Sequence, residues 1–302
     1  MGKTAFMFPG QGAQYAGMAK DFYDTFQKSR RIFEQASEEL GFSMEELCFE
    51  KNDRLDITEY TQAAMLTASM AVLEAVKEKN IKADVYAGLS LGEYGALTAA
   101  GVMEFKDAIK VVRQRGILMQ DAVPTGLGAM AAVIACDTQI IKEICEKTEG
   151  IVTIANYNCP GQIVISGEKQ AVEKAGEALK AAGAKRVIML NVSGPFHSPM
   201  LVTACEKLLK VLDTVNIKNP LTPYVCNVDA EYITQKDNIR ELLMKQVYSP
   251  VKWQQSVENM IKNGVDTFVE IGPGRTLSSF VKKIDSSVKV LNVEKTEDLE
   301  KL

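Results

Sequence analysis

The sequence contains one histidine, His197, among its 302 residues. Any catalytic step that needs a histidine of this chain can therefore use only His197. The six cysteines are widely spaced and form no CxxC pair. We therefore expect neither a zinc site nor a disulfide framework, and we interpret the cysteines as reduced thiols in the core.

A basic surplus and a long apolar run are also missing. The sequence has 35 Lys and Arg residues against 39 Asp and Glu residues, whereas nucleic acids and membranes normally attract a basic surface. No run of about 18 apolar residues is present, and the N-terminal segment lacks the features of a signal peptide. We expect no nucleic-acid partner, no membrane partner and a cytoplasmic location.

The order of apolar strands and helices indicates an α/β fold. Helical patterns cover residues 14–40, 43–49, 58–79, 91–100 and 104–120. From 127 to 192 the pattern reads strand, helix, strand, strand, helix, strand, which is the ferredoxin-like βαββαβ order. The alternation outside this unit predicts a mostly parallel sheet covered by helices. We predict a large subdomain from residues 1–126 and 196–302, with a small ferredoxin-like subdomain, residues 127–195, inserted in it.

Residues 88–92, GLSLG, match the pattern G-x-S-x-G around Ser90. An apolar strand precedes the motif and a helical stretch follows it, which is the setting of a nucleophile elbow. Side chains in place of the two glycines would collide with neighbouring backbone. The N–H of Leu91, at the start of the helix, would favour a developing oxyanion. The motif fits either a nucleophile or an incidental serine in a tight turn.

A serine nucleophile needs a base, and His197 is the only histidine that can serve. It lies in the loop NVSGPFHSPM, at the junction of the two predicted subdomains, where loops commonly line clefts. A lone histidine is also compatible with an ordinary surface or core position. No Asp or Glu stands out as a third member, so both a triad and a dyad held by a backbone carbonyl remain open.

Two glycine-rich loops follow strands elsewhere in the chain. Residues 8–14, FPGQGAQ, could present backbone N–H groups to an anion or form an ordinary turn. Residues 272–277, GPGRTL, resemble a phosphate-binding loop but lack the lysine and the spacing of a P-loop. We interpret the second loop as a structural turn.

Six motifs in a fixed order carry a resemblance to a known family. They are FPGQGAQ, GLSLGEYGALTAAG, RGILMQDAVPTGLGAM, NYNCPGQIVISG, the loop with His197, and EIGPGRTL. Over nearly its full length the chain resembles the malonyl-CoA:acyl carrier protein transacylases, which load bacterial fatty-acid synthesis. The acyltransferase domains of polyketide synthases are similar. The resemblance implies an α/β-hydrolase-like large subdomain with a ferredoxin-like small one.

The resemblance also implies the roles of the catalytic groups. Ser90 would carry the acyl group and His197 would act as its base. The backbone N–H groups of Gln11 and Leu91 would form the oxyanion hole. No metal and no bound organic cofactor is implied, because the CoA thioester is itself a substrate.

Further positions match the substrate pocket of the family. Arg115 would bind the malonyl carboxylate, since a planar guanidinium gives a carboxylate two parallel hydrogen bonds. Gln62 would line the pocket, and the backbone carbonyl of Gln246 would orient the histidine. Phe196, directly before the histidine, fits the malonyl-selecting form of the polyketide relatives. Leu89 departs from the family, which commonly has histidine there.

The expected function is transfer of the malonyl group from malonyl-CoA to the phosphopantetheine thiol of acyl carrier protein. The transfer would be ping-pong, through an ester of Ser90. Malonyl-CoA and acyl carrier protein are thus the expected partners. Three alternatives remain: a discrete acyltransferase of a polyketide pathway, a serine thioesterase or hydrolase, and a non-catalytic module that binds CoA or acyl carrier protein.

Overall fold

The computed structural model describes residues 2–302 and has two β-sheets. The strands are β1 (Lys3–Phe8), β2 (Val85–Gly88), β3 (Gly128–Ile134), β4 (Val152–Cys159), β5 (Gln162–Glu168), β6 (Arg186–Met189), β7 (Tyr224–Val225), β8 (Tyr232–Ile233), β9 (Val265–Ile271) and β10 (Lys289–Val293).

Helices follow most of the strands and cover the sheets. The α-helices are α1 (Lys20–Thr25), α2 (Gln27–Leu40), α3 (Met44–Phe49), α4 (Thr58–Glu78), α5 (Gly92–Ala99), α6 (Phe105–Asp121), α7 (Thr138–Lys147), α8 (Lys169–Ala181), α9 (Val202–Asp213), α10 (Ile239–Gln246), α11 (Trp253–Lys262) and α12 (Thr276–Ile284). Two 3₁₀ turns lie at Pro199–Leu201 and Thr296–Lys301.

The larger sheet has the strand order β10-β9-β1-β2-β7-β8. All its neighbouring strands are parallel except β8, which runs antiparallel to β7. The smaller sheet has the order β4-β5-β3-β6 and is antiparallel throughout. This arrangement confirms the predicted α/β class with a mostly parallel sheet and a second, separate sheet.

The central strand β1 is buried on both faces of the large sheet. Phe6 and Phe8 pack into the core cluster on one face, with helix α4. Ala5 and Met7 point into a second cluster on the other face, with α11 and α12. A strand buried on both faces reads as a continuous apolar run, which explains the sequence TAFMF.

A backbone link joins the small sheet to the large part of the molecule. The N–H of Tyr157 on β4 donates to the carbonyl of Val251 at 2.9 Å, and the N–H of Val251 donates to Ala155 at 2.8 Å. This parallel bridge fixes β4 beside the start of α11. The cleft between the sheets therefore has a defined width at this end.

One local prediction was wrong. Residues 14–40 do not form one helix, because Phe26 adopts an extended conformation between α1 and α2. Strand β7 is short and covers only Tyr224–Val225. At the start of α4, Ile57 takes the N-cap position, and the hydroxyl of Thr58 accepts from Gln11 Nε2 at 3.3 Å.

No helix in residues 2–302 combines the length and the apolar character needed to cross a membrane. No group of three or more His, Cys, Asp or Glu side chains in this range could hold a metal ion. All six cysteines are free thiols.

The close approach of helix α5 to β1 depends on glycine. A Cβ at Gly92 would collide with the carbonyl of Phe8, and a Cβ at Gly88 would collide with the backbone of Gly92. Backbone atoms cannot move aside as a flexible side chain can. The two glycines of the GLSLG motif are therefore required for the strand-to-helix turn to fit against β1.

We predict that Gly92→Ala lowers the free energy of unfolding by about 1–3 kcal/mol, the usual cost of overpacking. Urea denaturation would measure it. Gly176→Ala in α8 is the matched control, because its Cβ would meet only the side chain of Val187, at 3.2 Å. Equal effects of the two substitutions would contradict this account of the turn.

Candidate active site

A cavity of about 220 Å³ opens between the two sheets. The loops after β1, β2 and β6 reach it, and so do helices α4, α6 and α12. Its wall is largely apolar and contains Met119, Met130, Val164, Leu190, Val192 and Phe196. The polar groups that it exposes include Ser90, His197 and Arg115. The cavity thus brings residues distant in sequence into one small, mostly apolar space.

Ser90 lies on the turn between β2 and α5 in a left-handed conformation, with φ of 54°. Its backbone is held by Asn227, whose Oδ1 accepts from the N–H of Ser90 at 2.6 Å. Asn227 Nδ2 also donates to the carbonyl of Gly88 at 2.7 Å. These bonds stabilise a backbone conformation that a non-glycine residue rarely adopts.

His197 lies directly beside the serine. Its Nε2 is 2.7 Å from Ser90 Oγ, and its Nδ1 is 2.8 Å from the carbonyl oxygen of Gln246. A carbonyl only accepts hydrogen bonds, so Nδ1 carries the proton and Nε2 can accept the proton of Ser90. His197 itself is left-handed, with φ of 57°. The geometry is that of a dyad held by a backbone carbonyl.

The environment keeps this histidine neutral. Burial, and to a smaller extent the nearby charge of Arg115, together lower the pKa of His197 to about 4, against the backbone hydrogen bonds to Gln246 and Ser249. A neutral imidazole is the form that can act as a base. The side chain is therefore competent as a base at neutral pH.

Arg115, on α6, lines the cavity and is fully buried. Its Nη1 donates to Gln62 Oε1 at 2.8 Å. Its Nη2 donates to Gln246 Oε1 at 2.9 Å and to Ser90 Oγ at 3.3 Å. Burial lowers the pKa of Arg115, but a guanidinium titrates so far above neutrality that the group is charged. A fixed positive charge thus lies next to the serine.

Gly116 allows α6 to approach α4 closely enough for this arrangement. A Cβ at position 116 would lie 2.6 Å from the Cα of Glu59. The neighbouring Arg113 points away from the cavity, where it pairs with Glu59 at 2.6 Å and lies over the ring of Tyr60. Arg113 therefore faces another side of helix α6 than Arg115 does.

The two residues expected to supply oxyanion donors line the same space. The N–H groups of Gln11 and Leu91 both belong to residues that line the cavity. Neither donates a hydrogen bond to another group of residues 2–302. Gln62 lies between Arg115 and Met119, and Phe196 forms part of the apolar wall. The residues singled out by sequence thus line the cavity, Leu89 included, except Gln246, which contacts Arg115 and His197.

The GPGRTL loop is a structural turn, as predicted. The N–H groups of Leu277 and Ser278, at the start of α12, donate to the buried carboxylate of Glu270 at 3.0 and 2.7 Å. The N–H of Gly274 donates to Glu294 at 3.0 Å. The chain's own carboxylates occupy the donors that a phosphate would need.

Sequence reasoning missed Glu93 and Asn227. Glu93 is buried in the first turn of α5, where its Oε2 accepts from Gln246 Nε2 at 2.7 Å and from the N–H of Asn227 at 3.1 Å. Burial raises its pKa to about 7, against these hydrogen bonds and the charge of Arg115. One acidic residue in the apolar stretch GEYGALTAAG was an available signal. Asn227 carried no such signal.

The arrangement can carry out acyl transfer through a serine, with histidine as base and a cation for an acidic acyl group. Comparisons with known proteins point to the same class. Residues 5–297 match the family described as "Acyl transferase domain". Malonyl CoA-acyl carrier protein transacylase of Bacillus subtilis (strain 168) is 48% identical over 304 residues, covering 99% of this chain and 96% of that protein.

Solved structures agree. Malonyl CoA-acyl carrier protein transacylase from Clostridium perfringens Atcc 13124 superposes with a TM-score of 0.96 at 49% identity, covering 99% of this chain and 95% of that one. A malonyl-transacylase in complex with its type II PKS acyl-carrier protein gives 0.96 at 42% identity, with coverages of 99% and 98%. The chain belongs to the acyl transferase family, among the malonyl CoA-acyl carrier protein transacylases.

The low pKa of His197 predicts how the reactivity of Ser90 depends on pH. Protonation of His197 removes the base, so a lowered pKa moves the loss of reactivity to lower pH. Modification of Ser90 by a neutral sulfonyl fluoride should persist through pH 6 and fall with a midpoint near 4. Fluorescence of Trp253 at each pH controls for unfolding. A midpoint of about 6.5, the ordinary histidine value, would contradict the prediction.

Proposed function

We propose that this chain transfers the malonyl group from malonyl-CoA to the phosphopantetheine thiol of acyl carrier protein through an ester of Ser90. The observation that carries the proposal is the position of Arg115, whose Nη2 lies 3.3 Å from Ser90 Oγ in the wall of a largely apolar cavity. A buried cation beside a nucleophile suits an acyl group that ends in a carboxylate.

In the first half-reaction, Ser90 Oγ attacks the thioester carbonyl and His197 Nε2 takes its proton. The tetrahedral oxyanion accepts hydrogen bonds from the N–H groups of Gln11 and Leu91. When the intermediate collapses, the carbon–sulfur bond breaks and His197 returns the proton to the sulfur of CoA. The malonyl group is then an ester of Ser90, and His197 is neutral again.

The second half-reaction runs the same steps in reverse with another thiol. The pantetheine thiol of acyl carrier protein gives its proton to His197 and attacks the Ser90 ester. Collapse of this intermediate releases Ser90, which regains its proton from His197. One thioester is broken and another is formed, with no change in oxidation state. The proposed transfer therefore uses no metal and no bound cofactor.

Selectivity for malonyl follows from the cavity wall. Arg115 would give the malonyl carboxylate charge-assisted hydrogen bonds, with Gln62 and Gln246 holding the guanidinium in place. The ring of Phe196 would fill the space that a methyl branch on the acyl group needs. The role of each residue is part of the proposal.

Hydrolysis is the competing outcome, because water could replace the second thiol. The apolar wall, with Met119, Met130 and Val164, favours transfer since it leaves few polar groups to hold a water beside the ester. The absence of an acidic third member also distinguishes the site from a hydrolase triad: the carbonyl of Gln246 accepts from His197 Nδ1.

The proposal also includes a division of the fold into a small and a large subdomain. The strand order β4-β5-β3-β6 with α7 and α8 packed on one face supports a ferredoxin-like small subdomain, residues 127–195. The elbow after β2 in a mostly parallel sheet supports an α/β-hydrolase-like large subdomain, residues 1–126 and 196–302. The six free thiols are typical of a reducing compartment, which supports a cytoplasmic location.

A carrier protein of a polyketide pathway is the second candidate acceptor. A structural relative is a malonyl-transacylase in complex with its type II PKS acyl-carrier protein. The chemistry at Ser90 would be the same for both acceptors. Rates of transfer to a fatty-acid carrier and to a polyketide carrier, at equal concentrations, distinguish the two functions.

The decisive assay separates transfer from hydrolysis. Purified protein, malonyl-CoA and phosphopantetheinylated acyl carrier protein are mixed, and malonyl-carrier protein and free malonate are quantified together. We expect carrier-bound malonyl to exceed malonate, and Ser90→Ala to form neither. Release of malonate with no carrier product would show that the protein is a hydrolase. Absence of both products would indicate a non-catalytic binding module.

Arg115 variants test the source of malonyl selectivity. Arg115→Ala should lower the ratio of malonyl to acetyl transfer by about 10²-fold, because a charge-assisted contact to the substrate is lost. Arg115→Lys should also be impaired, since an ammonium cannot form the paired contact. Arg113→Ala on the same helix is the control and should keep the ratio. An unchanged ratio of malonyl to acetyl transfer in Arg115→Ala would show that another group binds the malonyl carboxylate.

A further inference from the structure

We propose that the side chains of Glu93 and Gln246 form one positioning unit that holds Arg115 in the orientation needed to bind the malonyl carboxylate. The unit acts through the amide of Gln246, which lies between the other two side chains. This inference rests on the proposed function, because it explains how the malonyl-binding group of that reaction is held.

The unit is a continuous set of short hydrogen bonds in the protein interior. Gln246 Nε2 donates to Glu93 Oε2 at 2.7 Å and to the carbonyl of Ser90 at 2.9 Å. Gln246 Oε1 accepts from Arg115 Nη2 at 2.9 Å. Glu93, Gln246 and Arg115 are each only 1% exposed. Water therefore cannot substitute for a lost partner without opening the core.

The carboxylate of Glu93 determines which way the Gln246 amide faces. With the amide reversed, its NH₂ group would face the donor of Arg115 and its oxygen would face Glu93 and the carbonyl of Ser90. Both contacts would then be unfavourable, since donors would meet donors and acceptors would meet acceptors. The observed orientation is the one that gives Arg115 an acceptor.

The intermediate amide also keeps the arginine available. No ion pair joins Arg115 to a carboxylate in the part of the chain that the structure describes; its recorded partners are Gln62, Gln246 and Ser90. Its Nε has no partner among these residues. A carboxylate in direct contact would compete with malonyl for the same donors. Glu93 instead acts on Arg115 through the amide of Gln246, which lies between them.

The unit adds a side-chain role for Gln246 to the role of its backbone. The carbonyl of Gln246 accepts from His197 Nδ1 at 2.8 Å and would orient the base for every acyl group. The contact of its side chain with Arg115 would matter only for an acyl group with a carboxylate. Replacing the side chain while retaining the backbone therefore separates the two roles.

The test is a double-mutant cycle that uses Gln246→Met and Glu93→Met, with KM and kcat measured for malonyl-CoA and acetyl-CoA. Methionine keeps the length of both side chains and removes their hydrogen bonds. We expect Gln246→Met to raise the KM for malonyl-CoA about tenfold relative to that for acetyl-CoA. Glu93→Met should change this ratio in the same direction, and the double variant should change it no further than Gln246→Met alone.

Two more variants complete the design. Glu93→Gln keeps an acceptor at the same position, so the KM for malonyl-CoA relative to that for acetyl-CoA should not rise. This variant keeps the inference testable even if Glu93→Met folds poorly. Glu59→Gln is the matched control, because it removes the carboxylate paired with Arg113 on the same helix as Arg115. It should leave the ratio unchanged.

Three results would overturn the inference. Equal losses for malonyl and acetyl would make Glu93 and Gln246 general supports of the turn around Ser90. Independent, additive effects in the double variant would show that Glu93 does not act through Gln246. A large rise in the KM for malonyl-CoA relative to acetyl-CoA in Glu93→Gln would show that the negative charge of Glu93 matters, and not its hydrogen bond to Gln246. If the wild type itself shows no preference for malonyl, the proposed function fails instead.

Discussion

A guanidinium buried in a protein interior needs hydrogen-bond acceptors to compensate for lost water, and Arg115 obtains them from neutral groups. Two amide oxygens, from Gln62 and Gln246, and the hydroxyl of Ser90 surround it. No carboxylate forms an ion pair with this guanidinium in residues 2–302. Its positive charge is the second cause of the lowered pKa of His197, and burial is the larger one. One buried charge thus favours a neutral base and provides a partner for an anionic acyl group.

The fold brings the parts of the site together by holding two sheets against each other. Ser90 is at the carboxyl end of a parallel strand, where α/β sheets commonly bind ligands. The small sheet supplies Met130 and Val164 to the opposite wall, and the bridge between β4 and Val251 fixes it in place. Close backbone contacts at Gly92 and Gly116 position the turn and helix α6. The distances at the cavity therefore depend on backbone packing around it as well as on the side chains that line it.

Much of this could be predicted from sequence, because local patterns carry it. The GLSLG turn, the single histidine and the strand–helix order each follow from residue spacing, and the element order agrees with the structure over β3 to β6. The apolar stretch around Glu93 could indicate that it is buried, but not its partners, and Asn227 had no signal at all, because their roles come from a contact between residues 134 positions apart. The dyad was equally undecided, since the carbonyl that accepts from His197 belongs to helix α10 and has no side-chain signature.

The central claim is that the acyl group resides on Ser90 between the two half-reactions. Intact-protein mass spectrometry after brief mixing with malonyl-CoA, followed by peptide mapping, tests it most directly. The account predicts one malonyl adduct, located on Ser90, that disappears when phosphopantetheinylated acyl carrier protein is added. An adduct on another residue, or transfer that proceeds with no adduct under single-turnover conditions, would contradict it.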